Sequence, residues 1–306
     1  MNTTHLKSSK TAPTCGLASQ CASLKSLRKT KAILWQNITL ARVIKMAFSG
    51  ADIVQPCINA MNAENSLTEE ARAVLTKPTG LLDFESSKVQ QLISERGWRA
   101  MPEFERIGAI YDFVRNEIRF GYNEADNLPA SRVLLDGMGQ CNTKGILLMA
   151  LLRANQIACR FHGFTIDKLL QKGAVTGWAY VLAPRSIIHS WVEIWHKNRW
   201  INLEGFILDD DYLMALQCKN PSVQKFVGFG AAVTDLSDPR VQWRGRDTYI
   251  QKEGINADFG IFNSPDDFYR KHGTNLSGLK KWVFETVVRA QMNRNVALIR
   301  TPNVER

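Results

Sequence analysis

The sequence has no C-x-x-C pair, although it contains six cysteines among its 306 residues. Closely spaced cysteines are typical of zinc sites and of disulfide-rich secreted domains, so their absence argues against both frameworks. The cysteine usage instead favours a reducing, cytoplasmic setting. No stretch reaches the roughly 18 apolar residues of a membrane-spanning helix, so no membrane span is expected. Nothing in the sequence calls for a cofactor or a metal ion.

Acidic residues are missing from residues 1–45, which hold eight of the 39 Lys and Arg residues. The formal net charge of +10 is therefore mostly a property of this segment, and the rest of the chain is close to neutral. A basic tail is weak evidence that the folded body binds nucleic acid. We expect residues 1–45 to be disordered. They could attach to an acidic surface, act as a transit peptide, or precede a true start at Met46.

The remaining chain divides into three parts by pattern. Residues 46–100 look helical, residues 101–206 contain the strongest motifs, and residues 207–306 form an extension with weak signals. The apolar run after Cys141 predicts an inner helix from Cys141 to about Asn155. Strand-like segments follow at Ala158–Ile166, Gly177–Leu182, Ile187–Trp195 and Arg199–Leu203, and later helices are expected after Ser264-Pro265 and from about Ser277 to Ile299.

Cys141 stands directly after the glycine-bearing turn Gly137-Met138-Gly139-Gln140, at the start of the inner helix. The partial positive charge of a helix N-terminus favours the thiolate form of a cysteine there. A lone intracellular cysteine is more often a small buried apolar residue. The histidine and the acids that follow it in the sequence make Cys141 a candidate nucleophile.

His189 lies in one predicted strand, and Glu204 closes the next. Lys197-Asn198 predicts a tight turn between them, and pairing Trp195 with Arg199 would place Glu204 opposite Ser190. His189 is then within reach of Glu204, but a slip of one residue is needed to put both on one face. Cysteine, histidine and acid in this order are the parts of a nucleophilic thiol site.

The sequence motifs around Cys141, His189 and Glu204 resemble those of the transglutaminase-like superfamily, and in particular of its bacterial-type domain proteins. The resemblance covers about residues 105–206. It is carried by Gly139-Gln140-Cys141, by Leu151-Leu152-Arg153-Ala154-Asn155-Gln156-Ile157, by His189-Ser190-Trp191-Val192-Glu193 and by Trp200-Ile201-Asn202-Leu203-Glu204. It implies an α+β, papain-like fold in which the helix that bears the cysteine packs on an antiparallel sheet.

The resemblance also implies the chemistry. Cys141 would be the nucleophile, His189 the base, and the acid after the second strand the group that orients the imidazole. The family usually has Asp there, whereas this chain has Glu204, and Glu193 is the rival. Glu193 lies four residues from His189, about 13 Å along an extended strand, so we favour Glu204. Tyr122 or Gln140 could add a donor to the oxyanion.

The expected function is therefore a cysteine-dependent amide-bond enzyme that works through a thioester and acts on a peptide or protein amide. Hydrolysis and transfer to an amine both remain open. The alternative is a catalytically silent binding or scaffold protein, and a third hypothesis is anion binding by the basic tail. Metal binding by Cys159 and His162 is disfavoured because alternation puts them on opposite strand faces. His196, beside a turn, is expected to be solvated.

Overall fold

The computed structural model describes residues 66–275, Phe284 and residues 288–301, apart from the side chains at positions 178, 179 and 182. The expectations for residues 1–45, and for the first part of the last predicted helix, lie outside these residues. The described residues from Leu67 onwards belong to one compact unit. Within the described part, helices combine with a mainly antiparallel sheet, which confirms the expected α+β class.

Helices occupy both ends of the described chain and its centre. In chain order they are α1 Glu69–Leu75, α2 Ser87–Arg96, α3 Glu103–Asp112, α4 Ala130–Asp136, α5 Cys141–Ala154, α6 Gly177–Leu182, α7 Asp210–Lys219, α8 Pro265–His272 and α9 Arg289–Arg300. A π-helical turn at Phe113–Glu117 follows α3.

The strands form one four-stranded sheet and two small pairs. They are β1 Arg119–Phe120, β2 Met138–Gly139, β3 Cys159–Asp167, β4 Ser186–His196, β5 Arg199–Leu203, β6 Phe226–Gly228, β7 Ala231–Val233 and β8 Ile255–Phe262. The main sheet is antiparallel in the order β5-β4-β3-β8, whereas β1 and β2 pair in parallel.

Helix α5 is the buried centre of the fold, as its sequence predicted. Every residue from Cys141 to Ala154 is buried, because apolar side chains cover most of its circumference. Ser190 and Val192 of β4 lie close to Gly145, so the helix rests on this strand. At its far end the Arg153 guanidinium donates to the carbonyl oxygens of Lys77 and Cys159, at 2.9 Å each.

The β4–β5 hairpin has the predicted two-residue turn, but the expected register was wrong by one residue. Lys197 and Asn198 both have positive φ angles, 49° and 58°, which is the type I′ geometry that suits the twist of a hairpin. In such a turn the residues that flank it pair with each other, and His196 lies opposite Arg199. The pairing continues to Val192 opposite Leu203, and one further step places Glu204 beside Trp191, on the face that carries His189.

Two further expectations also differ from the structure. The segment Gly177–Leu182 is helix α6 rather than a strand, since periodicity cannot separate strand from helix in so short an apolar run. Strand β8 was missed: its residues are mostly exposed or half-buried, as befits the edge of a sheet, and carry little apolar alternation. The expected cap of α8 is confirmed, because the Ser264 hydroxyl accepts from the backbone N–H of Asp267.

Close packing at Gly139 explains the glycine before Cys141. A Cβ atom built there would lie 2.7 Å from Thr143 Oγ1 and 2.9 Å from Lys144 Cγ.

No helix in the described part of the chain is long and apolar enough to cross a membrane.

We therefore expect Gly139→Ala to lower the free energy of unfolding by about 1–3 kcal/mol through overpacking. Gly145→Ala is the matched control, because its Cβ would meet nothing closer than 3.6 Å and alanine favours a helix. Urea unfolding followed by circular dichroism would measure both variants. Equal destabilisation by the two substitutions would contradict the packing argument.

Candidate active site

Cys141 is the first residue of α5 and is 8% exposed. The turn before it is fixed by side chains on both of its sides. The backbone N–H of Gln140 donates to Thr143 Oγ1 at 3.1 Å, and Gln140 Oε1 accepts from the backbone N–H of Asn123 at 3.0 Å. Thr143 in turn donates its hydroxyl proton to Asn123 Oδ1 at 2.6 Å. The thiol therefore sits on a rigid helix start whose first backbone N–H groups lack intrahelical partners.

The structure brings His189 and Glu204 together. His189 Nε2 lies 2.7 Å from Glu204 Oε1, and both side chains are fully buried. The other carboxylate oxygen, Oε2, accepts from the backbone N–H groups of Ile250 and Gln251, at 3.0 Å each. A buried carboxylate is costly unless its oxygens are bonded, and here both oxygens have donors. Glu204 therefore fixes the orientation of the His189 ring.

The other nitrogen of the ring, His189 Nδ1, is buried and has no hydrogen-bond partner of standard geometry in the described part of the chain. The thiol of Cys141 is close enough to act on the ring through charge and hydrogen bonding. Burial alone would lower the pKa of His189, but Cys141 and Glu204 outweigh it and raise that pKa to about 10. The imidazole thus lies between a thiol and a carboxylate, and both partners favour its protonated form.

Glu193 is engaged elsewhere. Its carboxylate lies 2.6 Å from Arg160 and 2.6 Å from His162 Nδ1, so it makes no contact with His189. Burial would raise the pKa of Glu193, but hydrogen bonds and charge from His162 and Arg160 lower it. Glu193, on β4, therefore forms an ion-pair cluster with Arg160 and His162 of the neighbouring strand, β3.

The two suggested oxyanion donors are placed differently. Burial first, and then the nearby Cys141, raise the pKa of Tyr122, so its hydroxyl stays protonated beside the thiol. The backbone of Tyr122 is held from both sides by Asn293, which accepts from its N–H at 2.7 Å and donates to its carbonyl at 3.0 Å. The Gln140 amide nitrogen instead turns to Asp126 Oδ1, at 3.4 Å.

Sequence reasoning missed several groups around this site. Ile250 and Gln251 contribute only backbone N–H groups, which every residue except proline has, so the residue type does not reveal them. Asn142 and Asn275 contact Ile188, the residue before His189, through their side chains. The one available signal was the polar first turn Asn142-Thr143-Lys144, ahead of the apolar run of α5.

The remaining candidates have structural partners. Cys159 Sγ donates to the carbonyl of Met149 at 3.7 Å, and His162 lies between Glu193 and Asp258. Among the described residues no group of three or more His, Cys, Asp or Glu could hold a metal ion. His196 was expected to be solvated, and this was wrong: it is buried and lies 2.6 Å from Glu103, since the start of α3 and Trp243 pack against the hairpin end.

Comparison with known families agrees with this geometry. Residues 92–205, which contain Cys141, His189 and Glu204, match the model of the transglutaminase-like superfamily. These residues form a transglutaminase-like superfamily domain. The resemblance that the sequence motifs indicate is thereby confirmed, and the match starts at residue 92 rather than at about 105.

One solved structure to which this chain is similar is "a Putative Cysteine Protease from Cytophaga hutchinsonii". It has 14% sequence identity and a TM-score of 0.38, and the alignment covers 66% of this chain. This chain spans only 50% of that protein's length. The comparison with curated proteins found no significant match.

The raised pKa of His189 gives a direct test of the Glu204 contact in the transglutaminase-like domain. We expect Glu204→Gln to move the titration midpoint of His189 to lower pH, because it removes the negative charge of the carboxylate beside the ring. Glu193→Gln is the matched control and should lower only the midpoint of His162, whose raised pKa depends on Glu193 and Asp258. NMR of histidine-labelled protein measures both midpoints.

The sign for stability follows from the same shift. Because folding raises the pKa of His189 from 6.5 to about 10, the contribution of His189 to stability is complete below pH 6.5 and is lost as the pH rises through 10.

The two glutamate variants also test the assignment of partners. A His189 midpoint that stays in place in Glu204→Gln but moves in Glu193→Gln would reverse that assignment.

Proposed function

We propose that this protein is a cysteine-dependent amide-bond enzyme with Cys141 as nucleophile, His189 as base and Glu204 as the residue that orients His189. The observation that carries the proposal is the His189 ring, bonded to Glu204 through Nε2 and left with Nδ1 free for the thiol of Cys141. A thiol, an imidazole and a bonded carboxylate in series are the arrangement that activates a cysteine for acyl transfer.

The chemistry would proceed through a thioester. The Cys141 thiolate attacks the carbonyl carbon of an amide, and the negative charge passes to the carbonyl oxygen. The backbone N–H of Cys141 and the protonated hydroxyl of Tyr122 are the donors for that oxyanion. His189 then protonates the departing amine as the carbon–nitrogen bond breaks, which leaves an acyl group on the sulfur.

The second half resolves the thioester. Water or a second amine attacks the acyl carbon while His189 takes its proton, and the thiolate leaves. Water gives hydrolysis and an amine gives a new amide bond. The substrate class that fits the family is a peptide or protein amide, and the assignment of Glu204 rather than Glu193 rests on which carboxylate contacts the histidine.

Alkylation of the cysteines is the first test of the nucleophile. We expect iodoacetamide near neutral pH to modify Cys141 faster than Cys218, although Cys218 is exposed and Cys141 is 8% exposed. Cys159 should react most slowly, because it is fully buried and burial raises its pKa. Peptide mapping by mass spectrometry gives each rate. Faster modification of Cys218 would count against an activated Cys141.

Turnover in Glu204 variants is the second test. We expect Glu204→Gln to reduce the rate of acylation by orders of magnitude, as loss of the orienting acid does in other triads. Glu204→Asp should retain more activity, yet its side chain is one methylene too short to reach His189 and the N–H groups of Ile250 and Gln251 together. Glu193→Gln serves as the control and should change acylation little.

The assay works with an unidentified substrate. A peptide library is incubated with the full chain, and the thioester on Cys141 is trapped and measured by intact mass. Acyl adducts that depend on Cys141 and His189 would support the enzyme. Absence of any adduct, together with ordinary reactivity of Cys141, would instead support a catalytically silent scaffold.

A further inference from the structure

Asn142 follows Cys141 directly, in the first turn of α5, and is 1% exposed. Its side-chain amide makes two contacts with β4. The nitrogen Nδ2 donates to the carbonyl oxygen of Ile188 at 3.1 Å, and Oδ1 accepts from the hydroxyl of Ser190 at 2.9 Å. These two partners stand immediately before and after His189 in the strand.

The Ile188 contact is the more direct of the two, because that carbonyl belongs to the peptide bond that joins Ile188 to His189. Asn142 uses the donor and the acceptor of its amide at once, one for each partner. Neither alanine nor a carboxylate can make both bonds.

Ile188 is held on its other side as well. Its backbone N–H donates to Asn275 Oδ1 at 2.6 Å, and Asn275 Nδ2 donates to Asp126 Oδ2 at 2.8 Å. Asp126 Oδ1 lies 3.4 Å from Asn142 Nδ2 and closes the circuit. Asn142, Ile188, Asn275 and Asp126 thus form a closed ring of hydrogen bonds, in which both backbone groups of Ile188 are engaged.

We propose that Asn142 is a positioning residue that sets the distance between Cys141 and His189, with Ser190 and the Asp126–Asn275 pair as its supports. The inference rests on the proposed function, since it concerns the geometry of the same thiol and imidazole. Cys141 and Asn142 are neighbours on a rigid helix, so the grip of Asn142 on β4 fixes where the thiol meets the ring. Without the Asn142 hydrogen bonds, the helix start and the strand can separate, and small displacements between two reacting groups lower the reaction rate strongly.

The test uses the full chain and two readouts, the iodoacetamide rate of Cys141 and the titration midpoint of His189. We expect Asn142→Ala to slow alkylation of Cys141 about tenfold or more and to move the His189 midpoint to lower pH. Asn142→Asp, which keeps the acceptor for Ser190 and loses the donor to Ile188, should also slow it.

Asn155→Ala is the matched control. Asn155 is equally buried at the opposite end of α5, where its Nδ2 donates to the carbonyl of Leu151 at 2.8 Å. We expect it to lower the melting temperature and to leave both readouts near wild type. A purely structural role for Asn142 would give the same pattern as Asn155→Ala, and that result would overturn the inference.

Two variants keep the outcomes separate. If Asn142→Ala does not fold, Asn142→Asp decides, because it keeps the acceptor for Ser190 and loses the donor to Ile188; a wild-type alkylation rate and midpoint in that variant would refute the positioning role. His189→Gln tests the proposed function itself. If His189→Gln leaves the rate of Cys141 unchanged, the thiol–imidazole pair fails, whereas a slow His189→Gln beside an unaffected Asn142→Ala rejects the positioning role alone.

Discussion

The buried carboxylate of Glu204 is the constraint on which the candidate site depends. It is fully enclosed, and its two oxygens are divided between the His189 ring and two backbone N–H groups. An enclosed carboxylate without such donors would be expelled or neutralised. The segment that contains Ile250 and Gln251 must therefore lie against the end of β5 for Glu204 to hold the His189 ring.

The start of α5 is the second fixed point, and successive side chains tie it to different parts of the chain. Asn142 binds β4, Thr143 binds Asn123, and Lys144 donates to the carbonyls of Arg115 and Ile207 at 3.1 and 3.0 Å. Burial lowers the pKa of Lys144 well below its usual value. The polar first turn thus anchors the thiol, while the apolar remainder of the helix supplies the core.

Much of this architecture could be predicted from residue patterns. The inner helix, the β4–β5 turn and the order of cysteine, histidine and acid all follow from periodicity and from short motifs. The predicted turn already implied the register, because a two-residue turn at Lys197 and Asn198 pairs His196 with Arg199, and the expected pairing of Trp195 with Arg199 overlooked this. The donors from Ile250 and Gln251 could not be foreseen, since any residue except proline offers a backbone N–H.

The support that Glu204 draws from Ile250 and Gln251 also bears on modularity. The transglutaminase-like match ends at residue 205, yet the backbone donors to Glu204, the acceptor of the Ile188 N–H and the side chain that holds the Tyr122 backbone all lie between residues 250 and 293. The segment that the family model matches is therefore smaller than the part of the chain that holds Glu204 in place. A fragment that ends at residue 205 would leave Glu204 Oε2 without the two backbone donors of Ile250 and Gln251.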